Sequence, residues 1–291
     1  MAIKNTPAGR AFDAANAVLL IALGLITILP FVYVVAGSFA TEPELAARPF
    51  FLWPHEFATG AYDYLFSTDT FLRSLVTTVG VTVAGTIFQL LMTFTMAYPL
   101  ARRTLPGRRL ILNLVIFTMV FGGGMIPTFL VVRDLGLLNT YWALFVPNAI
   151  SAFYLIIVKN FFQELPEELE QAAKIDGCTE VGVFWRIALP LSKPIIATFA
   201  LFYAVGIWND FMSPLLYLSD NDMWTLQMFV RQVTISTDIS NTIMQTNPDY
   251  VPPEQGIQFA TIVVASVPIL LFYPLLQKHF AKGMLIGSVK G

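Results

Sequence analysis

Charge is scarce in this sequence: 12% of its 291 residues are Asp, Glu, Lys or Arg, about half the share of a soluble domain. That scarcity excludes an ordinary water-soluble globule. The formal net charge is -2, and no run of like charge exceeds the Arg102-Arg103 and Arg108-Arg109 pairs, so nothing invites a nucleic acid. Cysteine is nearly absent. Cys178 alone forbids an internal disulfide, and without a CxxC pair or a His-carboxylate cluster there is no basis for a metal site. Cys178 itself reads as a small side chain filling space beside Gly177, since nothing nearby lowers a thiol pKa. The two histidines, His55 and His279, are expected on opposite sides of a membrane and share no site. No G-x-x-x-x-G-K-[ST] loop occurs either, so the chain has no means of its own to hydrolyse ATP and no cofactor is expected in it.

What is abundant is apolar surface, 56% of the residues, gathered into long blocks. A helix needs about 20 mostly apolar residues to cross a bilayer. Six blocks meet that standard, at residues 14–41, 74–101, 110–132, 135–158, 194–219 and 255–277, and only the fifth carries a charge, Asp210. The expectation is an all-α membrane protein with six transmembrane helices, residues 1–13 forming a cytoplasmic N-terminus and residues 14–291 one transmembrane domain. Ala36 to Ala40 offer small residues of the kind a signal peptidase cuts, but the uncharged stretch before them exceeds a signal core of about 7–15 residues. An uncleaved first helix is therefore expected. With the N-terminus inside, only Arg48, Arg73, Arg133 and Arg231 of the seventeen Lys and Arg fall outside. That bias places both termini in the cytoplasm.

Prolines inside the blocks, such as Pro30, Pro127, Pro147 and Pro214, mark kinks or helix ends. The run Gly122-Gly123-Gly124 before Pro127 argues for a bend or a close helix contact, and packing is the preferred reading. Two outer connections are long. Residues 42–73 are rich in aromatics suited to a headgroup boundary, and residues 220–254 carry Trp224 and Arg231 before a polar tract ending in Pro252-Pro253.

The cytoplasmic connection at residues 164–190 is the most informative. Pro166 suits a first helical turn, and Gly177 can take the left-handed conformation that closes a helix. Thr179 can cap the next one. Leu165, Leu169, Ala172 and Ala173 recur at helical spacing, opposite Glu167, Glu170 and Lys174. Two short amphipathic helices joined by a turn are expected, with small residues that let another protein surface approach.

This segment resembles the EAA loop of permease subunits in ATP-binding-cassette importers: Glu-Ala-Ala, three residues, Gly, nine residues, Ile-x-Leu-Pro. Here the pattern falls on Gln171-Ala172-Ala173, Gly177 and Ile187-Ala188-Leu189-Pro190. It departs in having Gln171 at the first position, with Glu168 and Glu170 close by. In looser form the likeness covers nearly the whole chain. It is nearest to the carbohydrate-uptake branch related to maltose-type permeases, with the flavour of the subgroup handling plant or algal polysaccharide fragments. The resemblance implies a type I importer permease fold and alternating access in a bacterial plasma membrane. It implies a coupling-helix pair in which Glu168, Glu170, Gln171, Ala172, Ala173, Asp176 and Gly177 meet the ATPase. The partners implied are a second homologous permease, two copies of a cytoplasmic ATPase carrying ATP and Mg, and an extracytoplasmic solute-binding protein. The loop at 220–254 resembles the segment that reaches toward that protein, which gives Trp224 and Arg231 a place in the contact.

Asp210, the one charge inside a block, sits in Trp208-Asn209-Asp210. Aromatic faces with amide and carboxylate acceptors suit a sugar, so these three are expected along the substrate path; pairing of Asp210 for packing reasons is the other reading. Two rival functions remain. An ion-driven secondary carrier would carry inverted repeats, and inspection finds none. A membrane glycosyltransferase would cluster carboxylates or histidines at a membrane face.

Overall fold

The computed structural model describes residues 7–235 and 255–288, and every regular element among them is helical. In chain order these are α1 (Pro7–Ser38), α2 (Glu42–Ala47), α3 (Gly60–Ser67), α4 (Asp69–Ala101), α5 (Arg108–Val120), α6 (Met125–Asp134), α7 (Trp142–Phe145), α8 (Ala152–Gln163), α9 (Glu167–Ile175) and α10 (Glu180–Val183). A π-turn at Phe184–Ala188 leads into α11 (Leu189–Leu191), α12 (Lys193–Asn209) and α13 (Met212–Tyr217). A 3-10 turn at Asn221–Met223 precedes α14 (residues 226–235) and α15 (Gln255–Ser288). The expected tract at 236–254 lies outside the described residues. The chain divides into two compact units, residues 1–71 with 230–267, and residues 72–229 with 268–291.

In the first unit α1 is apolar on all sides, and its most apolar window is unburied. Such a helix must be covered by lipid or by another chain. Its C-terminal end packs: Ala36 and Ala40 join Leu45 and Phe51, with Tyr33 and Phe259 against them. Gly37 makes that approach possible, because a Cβ there would lie 2.5 Å from the Phe259 ring. The connection between α1 and α4 is pinned by a buried carboxylate. Glu44 accepts hydrogen bonds from the His55 amide at 2.9 Å and from Arg48 at 2.5 Å. The His55 amide above all holds the Glu44 carboxyl below its ordinary pKa. Glu42 accepts from the Gly256 amide at the start of α15, at 2.8 Å. Of the aromatics in this connection, Phe51 is buried in the core and Phe57 stacks on Phe39. Trp53 is largely exposed.

The second unit is organised around α4. Gly85 brings it close to α12 and α7: a Cβ would lie 2.8 Å from Ile207 and 3.0 Å from Phe145. Thr93 and Tyr203 share a buried hydrogen bond of 2.6 Å. Near Pro99 the helix ends, and its terminal carbonyls find side-chain partners. Leu100 accepts from Arg108 at 2.8 Å and Ala101 from Gln163 at 3.1 Å.

Several expected spans differ from the structure. Residues 110–132 are not one helix, because the chain breaks between α5 and α6 with Gly124 at φ 83°. No atom lies within 4 Å of a Cβ built at Gly122 or Gly124. The glycine run therefore lies at a break, the bend that was one of its two expected roles. Residues 135–158 are not one helix either. Gly136, at φ 69°, closes α6, its amide bonding the Arg133 carbonyl while Leu137 bonds that of Val132. Asn139 follows at φ 56°, and α8 starts only at Ala152. In the fifth block α12 stops at Asn209 and α13 restarts at Met212. Only Ala11–Ser38 and Asp69–Ala101 are individually long and apolar enough to cross a bilayer, among the described residues. Glu180–Leu191 and Lys193–Asn209 qualify as a pair bent by 80°. At the bend, buried Ser192 donates through Oγ to the Ala188 carbonyl at 2.6 Å.

Asn139 clips this unit together. Its amide donates to the Tyr217 carbonyl at 2.8 Å, and its Oδ1 accepts from the Ser219 and Asp220 amides at 3.1 and 3.0 Å. Asn139→Ala loses both side-chain bonds and, with them, the polar side chain that lets Asn tolerate the left-handed conformation, which otherwise costs about 1–2 kcal/mol. Thermal unfolding of the detergent-solubilised chain, followed by circular dichroism, is expected to shift down by several degrees.

Candidate functional site

Two sites emerge, both within residues 72–229. At the first, α9 is closed by paired capping bonds. The Cys178 amide donates to the Ala173 carbonyl at 2.9 Å and the Gly177 amide to that of Lys174 at 3.0 Å. Gly177 stands at φ 83°, a backbone a Cβ would strain. Thr179 Oγ1 accepts from the Gly182 amide at 3.2 Å and caps α10. Lys174 and Glu180 pair across the turn at 2.5 Å. That pairing is the chief cause of a lowered Glu180 pKa, although both side chains are exposed and such a pair adds little stability.

The faces of α9 differ from expectation. Glu170 is buried and paired with Arg102, and Tyr98 joins them: Arg102 donates to its hydroxyl and lies 4.8 Å from its ring centroid. Glu170 thus faces inward, not outward with the other acids, because α4 ends in a cation beside it. Ala173 is buried with it. Outward lie Glu168, Leu169, Gln171, Ala172, Ile175, Asp176 and Gly177, with Ile175 85% exposed. Of the expected coupling residues, all but Glu170 and Ala173 are therefore reachable by a partner. Arg102 and Tyr98 were not singled out in the sequence. The only cue was an Arg pair at the end of an apolar block.

The second site is a cavity of about 580 Å³ between α4, α8, α12 and the chain around α13. Tyr154, Phe202 and Tyr203 form an aromatic wall, Tyr154 stacking on Phe202 at 5.8 Å between centroids. Facing groups are polar: Gln89, Asn148, Asn209, Asp210 and Thr225. Asp210 has one structural duty, accepting from the Ser213 amide at 3.0 Å, so both readings of this residue apply to it. Trp208 is buried and does not line the cavity; successive helical residues point about 100° apart, so it cannot share the face of Asn209. Gln89 and Thr225 were missed. The available signal was a polar stripe at helical spacing along α4, Thr78, Thr82, Thr86, Gln89 and Thr93.

Trp224 is half-buried before α14, and Arg231 is exposed on that helix. Nothing in their surroundings defines a pocket.

A helical chain with lipid-facing surface, a closed helix-turn-helix segment and a polar cavity is the build of a membrane permease. The chain belongs to the family of binding-protein-dependent transport system inner membrane components, whose model matches residues 78–286. It is a non-catalytic permease subunit of an ABC importer. It is 66% identical to Protein LplC of Bacillus subtilis strain 168, over 99% of this chain and 98% of that protein. It is 52% identical to the polygalacturonan/rhamnogalacturonan transport system permease protein YtcP of the same organism, over 97% and 99%. A chain from the crystal structure of a bacterial ABC transporter involved in the import of the acidic polysaccharide alginate superposes with a TM-score of 0.87, at 29% identity, covering 94% of this chain and 98% of that one. The type I importer fold agrees with expectation.

Proposed function

We propose that this chain carries a sugar or oligosaccharide into the cytoplasm along the cavity between α4, α8 and α12, by alternating access in a bacterial plasma membrane. It does so with six passes and both termini cytoplasmic, beside a second homologous permease. Two copies of an ATPase, which bind ATP and Mg, engage the segment at residues 164–190, and a solute-binding protein delivers substrate outside. The observation that carries this reading is the helix closed at Gly177, which presents Leu169, Ala172 and Ile175 outward. Apolar groups so exposed at a helix end call for a protein surface to cover them. The cavity supplies the other half: an aromatic wall for the apolar faces of a sugar ring and facing amides and hydroxyls for its hydroxyl groups.

The direct test is affinity isolation of the tagged chain from native membranes in mild detergent, with mass spectrometry of what accompanies it. An ATPase and a second permease are expected in the eluate. A chain that emerges alone would sink the importer assembly and leave an ion-driven carrier as the reading to pursue.

A further inference from the structure

This inference rests on the sugar-passage reading and narrows it to one chemistry. Gln89 is 4% exposed and lines the cavity, and its Oε1 has no hydrogen-bond partner within the protein; Thr225, equally buried and also lining it, leaves Oγ1 unpartnered. Leaving a buried polar atom unpaired is costly, so two converging on one cavity point to a ligand that supplies what they need. Thr82 and Thr86 leave their Oγ1 atoms unpartnered on the same stripe of α4.

The type of each group decides the ligand. A side-chain amide oxygen accepts only, and an ionised carboxylate accepts only. Gln89 Oε1 and Asp210 therefore both require donors. Sugar hydroxyls are donors, whereas a uronate carboxylate is not and would meet Asp210 as a like charge. Asp210 is the one ionisable acid among the cavity's described lining residues, and no Lys, Arg or His stands among them. This wall thus contains nothing to neutralise an acidic sugar.

We propose that the side of the cavity formed by Gln89, Thr225 and Asp210 is a sugar-hydroxyl subsite, which takes the uncharged face of a glycan and turns carboxylates away. Where a substrate carries uronates, their carboxylates face the opposite side of the passage.

The test uses the complete importer in proteoliposomes, with trigalacturonate and its methyl ester as probes matched in length and backbone. Affinity of the binding protein for each probe is measured separately, so that delivery is not mistaken for passage. Thr225→Val, which keeps shape and loses the hydroxyl, and Gln89→Leu are expected to raise KM for the ester about five- to tenfold, with the maximal rate of ATP hydrolysis kept. Asp210→Asn is expected to raise uptake of the acid relative to the ester by about tenfold. If Thr225→Val leaves KM unchanged and Asp210→Asn leaves the ratio unchanged, the subsite is overturned while the passage stands. If the unaltered importer moves neither probe nor any other sugar, the passage reading fails and this inference with it.

Discussion

Glu170→Ala should cut uptake by the assembled importer by about tenfold or more, although the residue is buried within its own unit and lies outside the cavity. The reason lies in what it leaves behind. Glu170 is buried at 8% exposure, and its removal takes from the Arg102 guanidinium its ion-pair partner at the end of α4, leaving it against Tyr98 and in the longer-range field of Glu180. Removing one member of a buried ion pair costs about 3–5 kcal/mol; Arg102 keeps some contact with water, which puts this case at the lower end. The pair is a side-chain link from α9 to the end of α4, so without it movement of α9 would be passed to α4 less directly. The expected signature is ATP hydrolysis that persists while uptake falls, measured together in proteoliposomes. The charge-swapped pair Arg102→Glu with Glu170→Arg should recover part of the loss, since a coupling term between neighbours appears only in the double variant. Unchanged uptake in Glu170→Ala would remove this contact from the path of transmission.

Ile175→Asp should abolish association with the ATPase while leaving the helical content of the chain intact. Ile175 is 85% exposed and adjoins the closing turn, so its side chain has no role in the unit's own packing. Burying an isoleucine in a partner's surface is worth about 1.5–3 kcal/mol, and an unpaired carboxylate in its place costs more than the lost contact. Together these lower affinity by about a hundredfold or more. Gly177→Val should act by another route, by straining the backbone at φ 83° and tilting the helix that bears Ile175. Copurification of the ATPase with each variant, quantified against the native chain, separates the two: loss with the first and partial loss with the second is expected. Full retention with Ile175→Asp would mean that the partner grips another face.

How much of this was legible in advance depended on the range of the interaction concerned. The turn at Gly177 was readable because capping is local, decided by Gly177 and Thr179 two residues apart, with Pro166 opening the helix that the turn closes. The inward turn of Glu170 was not, since its partner Arg102 lies in a different helix and only tertiary packing joins them. The broken spans were missed for a different reason. Hydropathy averaged over a bilayer-length window registers that residues 135–158 are apolar, and it is blind to Gly136 and Asn139 at positive φ, which stop a helix without changing its oiliness. Trp208 was placed on the path by adjacency in the sequence, but adjacency is a poor guide along a helix. Gln89 went unremarked because threonines and one glutamine scarcely dent an apolar average, even when aligned along one face of α4.

The 80° bend at Ser192 works as the fulcrum of a crank. On one side runs the short arm from Glu180 to Leu191, beside α9; on the other runs α12, whose seventeen residues extend about 25 Å. If the two arms move as one body, a swing of about 10° in the short arm sweeps the Asn209 end of α12 through about 4 Å, by the geometry of a rigid rod of that length. Tyr203, Gly206 and Asn209 ride on that rod and line the cavity. A stroke smaller than one helical turn at the α9 end is thus enough to redraw the walls of the cavity.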